Sequence, residues 1–237
     1  MSDYCTDLAA HGFAVIPDLL DLDELESLAL AIAKAGEESC GRNRGVYAIR
    51  NLLQAVPSVA NLATCPGIFN LAQHLLGSVA APVKATLFDK TPDANWLVPW
   101  HQDLTISVKE RVDIDGFGPW TAKAGVLSVQ PPVSILERML AIRIHLDDCE
   151  EGNGPLRVLP GTHRFGRLNA DKITSLRAEI DPVSCAVRRG GVLLMKPLLL
   201  HASSASVSPS HRRVIHIDYA AVGLPLGLLW SQSLLKG

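Results

Sequence analysis

The chain has 237 residues, 48% of them hydrophobic and 19% charged, with a formal net charge of −2. That apolar content supports a sizeable core and argues against disorder. The near-neutral charge without a basic block argues against a nucleic-acid surface, and no apolar run reaches membrane-spanning length, so neither nucleic acid nor membrane is an expected partner.

The opening residues, Met1-Ser2-Asp3-Tyr4-Cys5, lack the basic-then-apolar layout of a secretory leader. Gly12-Phe13-Ala14-Val15-Ile16-Pro17 reads as a short strand. Asp21 or Asp23 is a candidate cap for a helix over about 24–35, with Leu25, Leu28 and Ile32 on one face. Pro66 precedes a second amphipathic helix over about 68–76, which Gly77 stops. The pattern then changes to short apolar stretches at 83–88, 98–106, 139–146, 155–159, 191–195 and 212–220, separated by Pro, Gly and Asn. This is the cadence of a β-sandwich or barrel, not of alternating βαβ units.

Two longer segments interrupt it. Residues 107–138 are rich in Gly and Pro and long for a simple connection, the character of a lid, with one helical turn expected near 134–139. Residues 164–182 hold a short helix near 171–180. Gly190-Gly191 reads as a β-turn. The chain reads as one domain, 1–237: a helical part over about 20–77, a β core over about 83–220, and a lid over about 107–138.

Chemistry concentrates in Trp100-His101-Gln102-Asp103 and in His201, with Arg212 eleven residues further on. On a strand, residues i and i+2 share a face, so His101 and Asp103 would aim at one point. A second histidine from another strand completes two imidazoles and a carboxylate, the face that non-haem Fe(II) oxygenases use with three positions left open. An arginine can grip the carboxylate of an acidic co-substrate through two parallel charged bonds. Arg213 sits beside Arg212: alternation groups Arg212 with Val214 and His216, and Arg213 with Ile215, Ile217 and Tyr219, without saying which set lines a cavity. Spacing from His201 favours Arg212. The same ligands would also suit Zn²⁺ in a hydrolase or isomerase on a cupin-like barrel, a reading that leaves Arg212 without a use. A binding protein that kept the barrel and lost turnover is a further alternative.

The five cysteines, Cys5, Cys40, Cys65, Cys149 and Cys185, are odd in number and widely spaced. Free, mostly buried thiols and a cytoplasmic location are expected, a setting that suits ferrous iron. His163 lies in a proline-glycine turn and reads as structural, Trp96 and Trp100 as packing residues, and His11, His74 and His211 carry no supporting pattern.

Several stretches together resemble the phytanoyl-CoA dioxygenase family. They are Leu87-Phe88-Asp89-Lys90-Thr91-Pro92, Asn95-Trp96, Trp100-His101-Gln102-Asp103, Arg143-Ile144-His145-Leu146-Asp147-Asp148, Asn153-Gly154-Pro155-Leu156, Pro160-Gly161-Thr162-His163, His201-Ala202-Ser203-Ser204 and Arg212-Arg213. The resemblance covers roughly 12–220. It implies a mainly β fold with flanking helices, built on a double-stranded β-helix (jelly-roll, cupin-like) core. It implies Fe(II) held by the catalytic residues His101, Asp103 and His201, with 2-oxoglutarate as co-substrate and O2 as oxidant. Arg212 would hold the far carboxylate of 2-oxoglutarate, Thr86 and Arg143 would lie near it, and Tyr47 and Arg50 would close over it. The implied reaction is hydroxylation of a C–H bond in a small-molecule substrate, with release of succinate and CO2, by a monomer or homodimer. The retained Asp103 points the same way, because related halogenases have a small residue there so that a halide can bind. Trp120 and Lys123 are the expected lid contacts to substrate.

Overall fold

The structure is a computed structural model, which describes residues 3–39, 48–77, 79–91, 95–123, 125–207 and 211–234. Tyr47 and Cys40 therefore lie outside the described residues.

The chain opens with α1 (Asp3–His11) and β1 (Phe13–Ile16), so helical structure begins well before residue 20. Next comes α2 (Leu22–Ser39), whose Leu25, Leu28, Ile32 and Ala35 recur at three- and four-residue steps and are all buried. The Asp21 carboxylate accepts from the Asp23 backbone at 2.8 Å, at the start of this helix. Three helices follow: α3 (Leu52–Ala55), α4 (Pro57–Thr64) and α5 (Pro66–Leu76). Prolines open α4 and α5, where the missing N–H costs nothing, and Gly77 with φ 101° ends α5.

The β core has two main sheets. The larger contains β2 (Ala48–Ile49), β3 (Ala81–Lys90), β8 (Met139–His145), β11 (Val192–Met195) and β13 (Arg212–Ala220), in the order β1-β11-β8-β13-β3-β2. The smaller contains β4 (Val98–His101), β9 (Leu156–Val158), β10 (Val183–Cys185) and β12 (His201–Ser203), in the order β10-β9-β12-β4. All the pairings are antiparallel.

The long strands are apolar toward the helices and mixed toward the second sheet. Ile142, Ile144, Ile215, Ile217 and Tyr219 turn outward and pack with Leu28, Leu52, Val59 and Ile68 of the helices. The Tyr219 hydroxyl donates to the Ala63 carbonyl at 2.8 Å, tying sheet to α4. On the opposite face Ala141, Leu193 and Met195 meet Val158 and Leu199 of the second sheet. These residues fill only one end of the space between the sheets. Arg143, His201, Arg212 and His216 occupy the other end, buried and polar.

The expected strand over 98–106 is two strands. β4 stops at His101, and β5 (Ile106–Ser107) joins a third sheet with β6 (Trp120–Lys123) and β7 (Val126–Val129), in the order β5-β7-β6. The chain has to leave one sheet for another, so Asp103 sits just past a strand end. The segment 107–138 is thus built around a small sheet with its own apolar cluster, followed by α6 (Val133–Leu136), and is no bare loop. Helix α7 (Ala170–Glu179) lies where a short helix was expected, its N-terminus capped by Asn169. Cys149 and Cys185 are buried, Cys5 and Cys65 half-buried, and all four are free. Among the described residues, no helix is long and apolar enough to cross a membrane.

Candidate active site

His201 of β12 pairs directly with His101 of β4, so two imidazoles stand opposite one another across the small sheet, ring centres 4.2 Å apart. Each ring is oriented the same way. Nδ1 lies 2.9 Å from the carbonyl two residues back, Pro99 for His101 and Leu199 for His201. With Nδ1–H donating there, each Nε2 presents a bare lone pair, the orientation that metal-binding imidazoles adopt.

Asp103 completes the group. Its backbone N–H donates to Pro197 at 2.9 Å, and its carboxylate oxygens lie 3.7 Å from the Nε2 atoms of His101 and His201. The intervening Gln102 faces the other way and acts as an anchor. Its Nε2 donates to Leu198 at 2.6 Å and to Gly166 at 2.8 Å, while its Oε1 accepts from the Leu168 backbone at 2.8 Å. One ligand atom from each of His101, Asp103 and His201 falls within 4.8 Å of the others, the only such His/Cys/Asp/Glu group among the described residues. Two imidazoles and a carboxylate suit a ferrous ion. Burial pushes the His201 imidazole down to about 4 despite the pull of Asp103, so it is neutral and free to ligate. Burial would raise the Asp103 carboxyl, but His201, His216 and His101 together outweigh it and hold the group below its usual range.

A pocket opens from this group toward Arg212, Lys90 and Arg143. Arg212 opens β13 opposite Lys90, the last residue of β3, while His216 pairs with both Arg143 and Thr86. One NH1 of Arg212 donates to the Gly154 carbonyl. Gly154 has φ +62°, and a Cβ there would sit 2.6 Å from the Ser204 carbonyl oxygen, so this turn admits only glycine. Lys90 Nζ donates to that same Ser204 oxygen at 2.6 Å and reaches Ser203 Oγ at 3.3 Å. Arg213 points elsewhere: its Nε and NH2 donate to the two Asp147 oxygens at 2.9 and 2.7 Å.

Three buried cations thus converge with no carboxylate but Asp103 lining the same pocket. Burial first, and Arg212 second, lower Lys90 to about 8 and Arg143 to about 10. The Nε atoms of Arg143 and Arg212 are buried without a hydrogen-bond partner, as are both ring nitrogens of His145. Burial, Arg143 and Arg212 drive His145 down to about 3, so it adds no further charge. An unpartnered Nε–H on each arginine beside a candidate metal-ligand set suits a bound anion, and the dicarboxylate 2-oxoglutarate has the matching charge.

A polar chain runs out of this pocket along the inner sheet face. Arg143 NH1 donates to His216 Nδ1 at 2.7 Å, His216 Nε2 donates to Asp218 Oδ1 at 2.9 Å, and Lys84 Nζ lies 3.2 Å from Asp218 Oδ2. It ends at a second pocket, which Lys84, Thr86, Arg50 and Lys123 help to line. Thr86 and Arg50 therefore stand in this neighbouring pocket, and Arg143 in the one that holds Arg212. Trp120 lines neither; it packs against the lid's apolar cluster. A larger cavity walled by Leu20, Leu25, Leu28 and Leu62 lies between α2 and α4, with no converging ligand set.

Residues 8–214 match the family described as Phytanoyl-CoA dioxygenase (PhyH). The chain belongs to the phytanoyl-CoA dioxygenase family. That family consists of iron- and 2-oxoglutarate-dependent oxygenases. Among curated proteins, L-proline trans-4-hydroxylase of Streptomyces griseoviridis is 28% identical over 191 residues, which span 69% of this chain and 63% of that enzyme. Among solved structures, EctD from S. alaskensis with 2-oxoglutarate and 5-hydroxyectoine superposes with a TM-score of 0.73 at 20% identity, covering 99% of this chain and 84% of its own. AviO1 from Streptomyces viridochromogenes gives 0.67 at 23% identity, covering 94% and 96%. These likenesses establish the double-stranded β-helix of the family in this chain.

Sequence reasoning missed Lys90, Ser203 and the chain from His216 to Lys84. A signal for two of them was present: Lys84, Thr86, Phe88 and Lys90 alternate with Ala85, Leu87 and Asp89 along one strand. Ser203 shares the face of His201 two residues earlier.

Proposed function

We propose that this protein is a non-haem Fe(II)- and 2-oxoglutarate-dependent dioxygenase that hydroxylates a C–H bond of a small metabolite or natural-product intermediate, releasing succinate and CO2. The observation that carries this reading is the junction of two sites in one pocket. The His101, Asp103 and His201 ligand atoms converge beside three buried cations, Lys90, Arg143 and Arg212, and each arginine keeps a buried Nε–H without a partner. When bound, iron with 2-oxoglutarate as two-electron donor would activate O2, the oxidant.

The chain's own residues do the rest. His101 and His201 offer Nε2 atoms already oriented by their carbonyl contacts, and Asp103 offers the third ligand. Arg212 holds the far carboxylate of 2-oxoglutarate, with Lys90 and Arg143 adding charge on either side. His216 accepts from Arg143 and is itself held by Asp218, which keeps the guanidinium aimed into the pocket. We read residues 1–237 as one catalytic domain with 107–138 as its lid. A reducing, cytoplasmic setting fits four free cysteines and a ferrous ion, and a monomer or homodimer suffices because the described residues of one chain supply all three proposed metal ligands.

The test is a screen of small metabolites by succinate formation from 2-oxoglutarate, Fe(II) and O2, followed by mass analysis of the stimulating compound. The expected result is stoichiometric succinate and a product heavier by one oxygen. Substrate conversion that needs neither 2-oxoglutarate nor O2 would overturn the reading.

A further inference from the structure

The second pocket differs from the first in what it lacks. Its walls carry the cations Arg50, Lys84 and Lys123, a set of hydroxyl and amide side chains, a single aliphatic residue, Val126, and no carboxylate. Lys84 has its charge matched by Asp218 at 3.2 Å. Arg50 and Lys123 have no ion-pair partner among the described residues. They come from different parts of the fold: Arg50 follows β2 at the edge of the large sheet, and Lys123 ends β6 of the lid. Arg50 is half-buried and Lys123 exposed, so solvent screens their repulsion, and an anion seated between them would gain attraction from both.

The pocket also adjoins the proposed metal ligands. Thr105, on its wall, lies two residues beyond Asp103. Lys84 is close enough to Asp103 to feel its charge, and Asp218 links Lys84 to His216 on the wall of the first pocket. An occupant here would lie on the side of the metal ligands away from Arg212.

We propose that this pocket is the substrate site, and that it takes a small polar substrate whose carboxylate or phosphate is clamped between Arg50 and Lys123. The inference rests on the oxygenase reading above. The anionic end is held at the lid side, hydroxyls such as Thr86, Thr105 and Thr121 hydrogen-bond the polar body, and the C–H bond to be oxidised points past Thr105 toward Asp103. Charge-assisted contacts of this kind discriminate strongly, because the uncharged analogue leaves both cations unmatched.

Two measurements test it. In the first, compounds that stimulate succinate formation are compared with their amides or phosphate-free analogues, in the wild type and in Arg50→Ala and Lys123→Ala. The stimulating compounds should carry a carboxylate or phosphate, and neutralising it should weaken stimulation at least tenfold. Each variant should raise KM for that compound at least fivefold more than it raises the 2-oxoglutarate requirement. A neutral or cationic compound that stimulates equally in all three proteins would overturn the assignment while leaving the oxygenase reading intact. The second measurement needs no turnover. Acetate and inorganic phosphate are titrated separately into the 2-oxoglutarate-saturated protein, and backbone amide shifts of Thr121 and Lys123 are followed by NMR. Saturable shifts that vanish in Arg50→Ala support the anion site, and the stronger anion names the class. Flat titrations with both anions would overturn it. Saturable shifts without succinate from any compound would uphold the anion site and remove the oxygenase reading instead.

Discussion

Two of the proposed metal ligands, His101 and Asp103, lie at a pocket wall where substitution costs little packing. The His101 side chain is 39% exposed and that of Asp103 36%. His101→Ala and Asp103→Ala should therefore fold with near-normal thermal stability yet retain no stoichiometric iron and no succinate formation. Iron content of anaerobically purified protein, read beside a melting curve, checks this; full activity in either variant would remove the assignment. At Arg212 the expected loss is in co-substrate affinity. A charge-assisted bond to a carboxylate contributes roughly 1.5–3 kcal/mol, so Arg212→Ala should raise the 2-oxoglutarate requirement at least about tenfold. Arg213 spends its donors on Asp147 in a half-exposed pair, so Arg213→Ala should cost about 1 kcal/mol of stability or less and change co-substrate affinity little. The reverse order in steady-state kinetics would make Arg213 the anchor.

Lys90 gives a pH signature with a definite sign. Burial and Arg212 lower it from 10.5 to about 8. Between those values the folded protein binds fewer protons than the unfolded chain, so Lys90 makes stability rise with pH through that window, and its penalty is present in full below about 8. A dicarboxylate placed against it should restore the proton. Binding of 2-oxoglutarate at pH 8.5 should take up as much as about three quarters of a proton in the wild type and none at this site in Lys90→Met. Calorimetric titration in two buffers of different ionisation heat reads this directly, and equal proton exchange in both proteins would show that the anion does not reach Lys90.

At the scale of elements, the lid is a small sheet with its own core. Trp120 packs against the cluster of Ile106, Val129, Leu136 and Trp230, lies across from Val129, and has the Arg111 guanidinium 5.5 Å from its ring centre. It therefore works by holding β6, at the far end of which Lys123 faces the second pocket. Truncating a half-buried tryptophan should cost roughly 1–3 kcal/mol, less than for a fully buried one. Trp120→Ala should lower substrate-coupled turnover and spare the slow, substrate-free decarboxylation of 2-oxoglutarate. If both rates fall together, residues 107–138 do not act as a lid over substrate alone.

For the whole molecule, Lys90, Arg143 and Arg212 form a buried cationic cluster, so ligand binding should show as stability. Saturation to about a hundred times Kd adds about 2.7 kcal/mol. In a domain of this size each kcal/mol is worth roughly 2–4 °C, so 2-oxoglutarate with a divalent metal should raise Tm by roughly 5–10 °C. Scanning calorimetry should show this rise in the wild type and lose most of it in Arg212→Ala. An unchanged wild-type Tm at saturating ligand would mean that the cluster is not an anion site.

Elements whose pattern is local were legible in the residues alone. Alternation placed Arg212 and His216 on one face of a strand that runs over 212–220, and three- and four-residue spacing marked the buried stripe of α2. The His101-x-Asp103 and His201 motifs were legible because their residue types serve few other purposes at that spacing. Short α3 and α4 were not legible, since four and eight residues carry too little periodicity. The strand expected over 98–106 broke in two because pairing partners, not local pattern, decide where a strand ends: β4 finds β12, and β5 finds β7. Which arginine faces inward depends on a long-range contact, because Asp147, 66 residues away in sequence, holds Arg213. It alone divided Thr86 and Arg50 from Arg143 by placing them in different pockets. Sheet register, which sets Lys90 opposite Arg212 and His216 between Arg143 and Thr86, depends on contacts between distant segments, and no local preference encodes it.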